Sequence, residues 1–167
     1  TLRSVEGLAE APAPLAPVAA AVIATLADFE TAVWRDAVLR SPEIEAWLAF
    51  HTGAPVALDP ARAVFAVIGA AEASPDFAGF ALGTDVDPST SATLVLQVAG
   101  FAGGRRYRLA GPGIDGTREV AITGAPADLA DRLAANRALF PRGVDLILAG
   151  PTSVMGLPRT PRLEEIA

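Results

Sequence analysis

A chain of 167 residues, 51% of them hydrophobic, fits one domain and is long enough to bury a sizeable core without metal or disulfide support. Its net charge of -6 argues against a protein that coats nucleic acid, although discrete phosphate contacts stay open. All 13 cationic side chains are arginine and cysteine is absent, which removes Schiff-base lysines, thiol nucleophiles, disulfides and zinc ribbons.

The chain begins at Thr1 with neither an initiator methionine nor a signal peptide, so an upstream segment is expected to be missing. Residues 1–13, with Leu2, Val5 and Leu8 among Ala-Pro repeats, read as an extended lead-in. Ala16 to Ala27 is a helix with Pro17 at its first turn and apolar residues nearly all round, which implies burial on several sides. The surrounding apolar run is too short, and too interrupted by Pro17, to span a membrane. Thr31 to Trp34 is a short strand. Ser41-Pro42-Glu43 starts a second helix that runs to about His51, where Gly53 and Pro55 stop it. Ala63 to Ile68 is a buried strand, and Phe77, Phe80 and Leu82 pack the irregular stretch that follows onto the core.

Ser91 to Gly116 reads as two strands in one hairpin, turned by Gly103-Gly104 and closed by a glycine-rich corner. In the first run Leu94, Leu96 and Val98 alternate with Val95, Gln97 and Ala99, as in a well-buried strand. In the second, Tyr107 and Leu109 alternate with Arg106 and Arg108, giving a cationic face that suits a protein contact. Arg118 to Ile122 is a strand and Pro126 to Phe140 a helix, exposing Asp128, Asp131, Arg132 and Arg137. Val144 to Leu148 and Val154 to Leu157 are strands, and the polar tail from Pro158 to Ala167 packs on a partner or frays. Together these elements predict an α/β fold with a mixed sheet and flanking helices.

The spacing Gly111-x-Gly113-x-x-Gly116 imitates a dinucleotide fingerprint, but a strand follows it where a helix is required, so it reads as a turn between strands. No P-loop is present, and pyridoxal phosphate chemistry in its usual form lacks its lysine. His51 is the sole histidine, placed for capping or surface work near a helix end. Asp145, a carboxylate inside an apolar strand, needs a partner such as an arginine. Asp28 reads as a turn or cap residue. Arg159 reads either as a solvated tail charge or as a bidentate anion holder.

Further residues carry a resemblance. Thr25-Leu26-Ala27-Asp28 with Thr31 and Val33-Trp34, Phe50-His51-Thr52 with Ala54-Pro55, Gly83-Thr84, Ala92-Thr93-Leu94 through Gln97-Val98, Gly103-Gly104-Arg105, Phe140-Pro141 with Gly143-Val144-Asp145-Leu146-Ile147-Leu148, and Pro158-Arg159-Thr160 occur in order from about Ala20 to Thr160. Together they resemble PhnH, a subunit family of the bacterial carbon-phosphorus lyase system for phosphonate use. The resemblance implies a fold similar to the pyridoxal phosphate-dependent transferases without their cofactor, and a cytoplasmic homodimer that joins PhnG, PhnI and PhnJ. It also implies a helical segment before Thr1. The complex's early step displaces adenine from ATP by a phosphonate, giving a ribose 1-phosphonate 5-triphosphate. Two roles follow: a noncatalytic assembly subunit, or a subunit whose Asp28, His51, Asp145 and Arg159 contribute to phosphonate or nucleotide binding. No metal and no cofactor is expected.

Overall fold

The computed structural model describes residues 2–7 and 10–166, so Thr1, the expected strand-like Leu8, Ala9 and the tail residue Ala167 lie outside the described residues. The elements are β1 (Leu2–Ser4), α1 (Pro17–Leu26), β2 (Val33–Arg35), α2 (Pro42–Thr52), β3 (Phe65–Ile68), β4 (Thr93–Gln97), β5 (Gly100–Ala110), β6 (Arg118–Thr123), α3 (Leu129–Ala138), β7 (Asp145–Ala149), β8 (Ser153–Leu157) and β9 (Arg162–Ile166). Short 3-10 turns fill the irregular stretches, among them Phe77–Gly79 and Pro88–Thr90.

Six strands form one mixed sheet in the order β1-β8-β7-β4-β3-β2, and three form a second sheet in the order β6-β5-β9. In the large sheet β2, β3, β4 and β7 are parallel; β8 is added antiparallel to β7, and β1 pairs antiparallel with β8 at the edge. The fold is therefore α/β with a mixed sheet and few helices, as the alternation of elements predicts.

Alternation along the central strands divides the core in two. Ala66, Ile68, Leu94, Leu96, Leu146 and Leu148 face the small sheet and α3, where they meet Tyr107, Leu109, Ile122, Leu129 and Leu133. Val33, Val67 and Val95 face the other way, onto Val18, Ala19 and Ile23 of α1 and Ile44 and Leu48 of α2. Full burial of each large aliphatic side chain contributes roughly 1.5–3 kcal/mol, so both layers are strongly held. Gln97, predicted on the Val95 face, fastens the start of α1: its Oε1 accepts the Ala16 N–H at 2.7 Å and its Nε2 donates to the Pro14 carbonyl at 3.1 Å.

Helix ends follow their local chemistry. Ser41 Oγ accepts the Ile44 N–H at 3.2 Å, Pro42 occupies the first turn, and Gly53 closes α2 at φ 67. Asn136 of α3 is a buried residue that the helix pattern does not reveal. Its amide bonds both the N–H and the carbonyl of Val144, at 2.8 and 2.9 Å, and so fixes the entry to β7.

The expected hairpin across Ser91 to Gly116 does not form. β4 lies inside the large sheet between β3 and β7, whereas β5 lies inside the small sheet between β6 and β9. The chain changes sheets at Val98 and Ala99, whose N–H groups donate to Ala149 of one sheet and Thr123 of the other. Gly103 and Gly104 do take positive φ, 70 and 69, but they form an irregularity within β5, where the register against β6 jumps between Gly100 and Arg105. The actual hairpin is β5–β6, turned at Gly111 to Gly116, as expected of that corner. A second correction concerns the tail. Residues Arg162–Ile166 neither fray nor await a partner but pair with β5 as β9, because Leu163 completes the core beside Leu109.

Tyr107 is fully buried, and its hydroxyl has no hydrogen-bond partner among the described residues. Burial is the main cause that raises its pKa above the ordinary tyrosine value, with the Glu165 charge adding to it and Arg105 opposing. It is the only tyrosine in the chain, so absorbance at the tyrosinate band reports it alone. A raised folded-state pKa means stability is fully present below about pH 10, the unfolded value, and is lost as pH rises through the folded value. Ionisation in native protein is expected above the pH at which urea-unfolded chain ionises. Identical titration curves would contradict this burial.

Candidate functional site

The densest polar arrangement joins Asp145, the first residue of β7, to Arg159, which lies between β8 and β9. The Arg159 N–H and Nε donate to Asp145 Oδ1 at 2.9 and 3.3 Å, and Nη2 donates to Oδ2 at 2.6 Å. Nη2 also donates to Ser91 Oγ at 2.7 Å, while Nη1 donates to the Pro88 and Pro141 carbonyls, each at 3.1 Å. Asp145 has the arginine partner that its place in an apolar strand demands. Arg159 is no solvated tail charge: its side chain is 14% exposed, because it ties the segments leading into β4 and β7. All its guanidinium nitrogens are engaged within the chain. The junction sits where parallel strands begin, the end opposite the one at which open α/β sheets usually take ligands.

Asp28 directly follows the α1 C-cap. Its Oδ1 accepts from the Glu30 N–H at 3.0 Å and Thr31 Oγ1 at 3.1 Å, and its own N–H donates to Thr31 Oγ1 at 2.7 Å. This is a closed turn of the kind short polar side chains favour. His51 is exposed in the last turn of α2, with its ring 4.3 Å from Trp47 and 5.1 Å from Phe50. Among the described residues no hydrogen bond or ion pair joins Asp28 or His51 to the Asp145–Arg159 pair, and no group of three His, Cys, Asp or Glu side chains converges to hold a metal.

The cationic face of β5 is neutralised by its neighbours. Arg106 pairs with Glu119 of β6 at 2.8 Å and Arg108 approaches the same carboxylate at 3.7 Å, while Arg105, on the Tyr107 face, pairs with Glu165 of β9 at 2.8 Å. These pairs are about half exposed, and such pairs contribute roughly 0.2–1 kcal/mol each.

Sequence reasoning missed a second cluster at the opposite edge of the large sheet. Arg35 ends β2 on the same face as Val33, so its side chain passes beneath α2 and is 5% exposed. Nη2 donates to Glu45 at 3.2 Å, but Nη1 is buried without a hydrogen-bond partner among the described residues. The signal was present: an arginine two residues after a buried valine on a strand shares its face.

Taken together, these features define an α/β protein whose Asp145, Arg159 and Asp28 are bound into its own scaffold. The chain belongs to the PhnH family, described as bacterial phosphonate metabolism protein, whose sequence model residues 1–164 match. It is 43% identical over 153 residues to the alpha-D-ribose 1-methylphosphonate 5-triphosphate synthase subunit PhnH of Rhizobium meliloti (strain 1021), covering 92% of this chain and 76% of that protein. It is also 38% identical over 79 residues to HtxG of Stutzerimonas stutzeri, named as a candidate C-P lyase subunit, covering 47% of this chain and 40% of the other.

Proposed function

We propose that this chain serves phosphonate catabolism as a subunit of the carbon-phosphorus lyase core complex, holding partner chains while the bond-making residues lie elsewhere. Support comes from a family match along nearly the whole chain and from a relative named as a subunit of the 5-triphosphate synthase. The observation that carries the noncatalytic part is the saturation of Arg159 by its own chain, which leaves the strongest polar cluster no donor for a substrate. The reading includes a homodimer, contacts with PhnG, PhnI and PhnJ, a cytoplasmic setting and a likeness to cofactor-free pyridoxal phosphate-transferase folds. Among the described residues no helix is long and apolar enough to cross a membrane. Exposed apolar side chains, Phe29 at 74%, Phe50 at 85% and Leu58 at 90%, supply surface for protein contacts.

In the alternative, direct contribution to phosphonate or nucleotide binding, the most available of the four candidates is His51, since it is exposed and among the described residues makes only ring contacts. Reconstitution with the partner chains separates the two readings. His51→Ala is expected to assemble normally and to leave adenine release from ATP within about twofold of the unsubstituted complex, since exposed substitutions change stability little. An intact complex that no longer releases adenine would sink the scaffold reading. Sedimentation of the isolated chain is expected to show a dimer; a monomer at every concentration would remove the homodimer.

A further inference from the structure

The cluster at the end of β2 has the makings of a ligand site. Arg35 and Arg40 both line a groove of about 1010 Å³ between the segment after β2 and the first half of α2. A buried guanidinium with an unmade hydrogen bond is expensive, and Arg35 keeps Nη1 unpartnered in a site where it is 5% exposed. Arg40 is exposed. It is oriented by its Nε, which donates to the Arg35 carbonyl at 3.1 Å, and by the Trp34 ring, 5.7 Å from its guanidinium carbon. Its two Nη groups have no hydrogen-bond partner among the described residues.

Three carboxylates lie nearby. Glu45 is 61% exposed and touches Arg35 through a single 3.2 Å contact. Glu43 is turned back to its own N–H and Ser41 at the helix start, which lowers its pKa. Asp36, next to Arg35, accepts the Ala70 N–H at 2.9 Å through Oδ2, while its Oδ1 is buried with no hydrogen-bond partner among the described residues. The groove lining therefore carries two cations and one loosely held carboxylate. Apart from Ser41, its remaining wall is apolar and open, including Ala49, Val56 and Leu58, with Leu58 90% exposed. A single carboxylate oxygen satisfies one of the guanidinium nitrogens available. A tetrahedral dianion has oxygens enough for Arg35 Nη1 and Nη2 and for Arg40 together.

We infer that this groove binds a phosphate-type dianion carried on an apolar body. Arg35 and Arg40 clamp the head, the Val56–Leu58 wall covers the body, and Glu45 swings out as the anion replaces its carboxylate. The inference does not rest on the subunit assignment, and its test uses the isolated full chain, so either can fail without the other.

Calorimetric titration with phenyl phosphate is expected to give saturable binding to the unsubstituted chain. Glu45→Gln removes the competing charge and is expected to tighten binding about tenfold, whereas Arg40→Met is expected to weaken it about tenfold, each the scale of one charge-assisted hydrogen bond. Both side chains are exposed, so neither variant depends on the folding of a buried substitution. Arg35→Met, where it folds, is expected to abolish binding. Inorganic phosphate is expected to bind more weakly than phenyl phosphate. The site is overturned by absence of saturable binding in both the unsubstituted chain and Glu45→Gln, by a Glu45→Gln affinity that is unchanged or lower, or by indifference to Arg40→Met. Equal affinity for the two phosphates would overturn the role of the apolar wall. A merely structural ion pair between Arg35 and Glu45 would produce none of the expected changes.

Discussion

Replacing Arg159 by alanine is expected to lower the unfolding free energy by about 3 kcal/mol, the low end for breaking a buried ion pair, because Asp145 is 36% exposed and recovers some water. The loss reaches beyond that pair. Ser91 Oγ and the Pro88 and Pro141 carbonyls each lose the Arg159 donor, and they belong to the approaches of two adjacent parallel strands. Arg159→Lys retains the charge but offers a compact ammonium in place of a planar fork, so it is expected to recover less than half of the loss. Urea unfolding at pH 7 tests this: the midpoint should fall with little change in slope. A loss below about 0.5 kcal/mol, the range of an ordinary surface change, would show that the junction does not hold these segments.

The second large effect concerns two neighbouring glycines with nearly the same backbone. Gly103 and Gly104 have φ of 70 and 69, so either pays a left-handed penalty of about 1–2 kcal/mol on becoming alanine. Their surroundings differ. A Cβ on Gly103 meets only Thr123 Oγ1, at 3.9 Å, whereas one on Gly104 runs into the Ile122 carbonyl oxygen and lies 2.9 Å from Thr123 Cα. Those atoms are backbone of β6 and cannot rotate aside. Gly104→Ala is therefore expected to cost about 3 kcal/mol and to disturb the β5–β6 register, against about 1 kcal/mol for Gly103→Ala. Parallel urea titrations decide it. Equal losses would mean that β6 yields and that close approach sets no constraint there.

These glycines also show how far the fold was legible. A pair of glycines between alternating runs satisfies every local condition for a hairpin, and both residues do take the positive φ such a turn requires. What local chemistry does not encode is the partner of each strand. β4 is claimed on both edges by β3 and β7, and β5 by its hairpin neighbour β6 on one edge and by the distant β9 on the other. The helices were legible because their ends carry their own chemistry, as at Ser41, Pro42 and Gly53. Asp145 was legible for a related reason: a carboxylate among apolar neighbours demands a cation, although only the folded chain identifies Arg159. Arg35 escaped notice because the predicted strand stopped at Trp34. One residue more would have put an arginine on the buried face and flagged the groove.

The order of strands in the small sheet has a consequence for biosynthesis. β5 occupies the centre of that sheet, yet one of its two partners, β9, follows every other strand in the chain. A nascent polypeptide can thus complete all six strands of the large sheet while β5 still presents an open row of amides and carbonyls to its surroundings. Unpaired edges of this kind invite pairing with other chains. Until Arg162–Ile166 arrives, Arg105 of β5 lacks its partner Glu165, and its positive charge beside that waiting edge discourages a second copy from adding there.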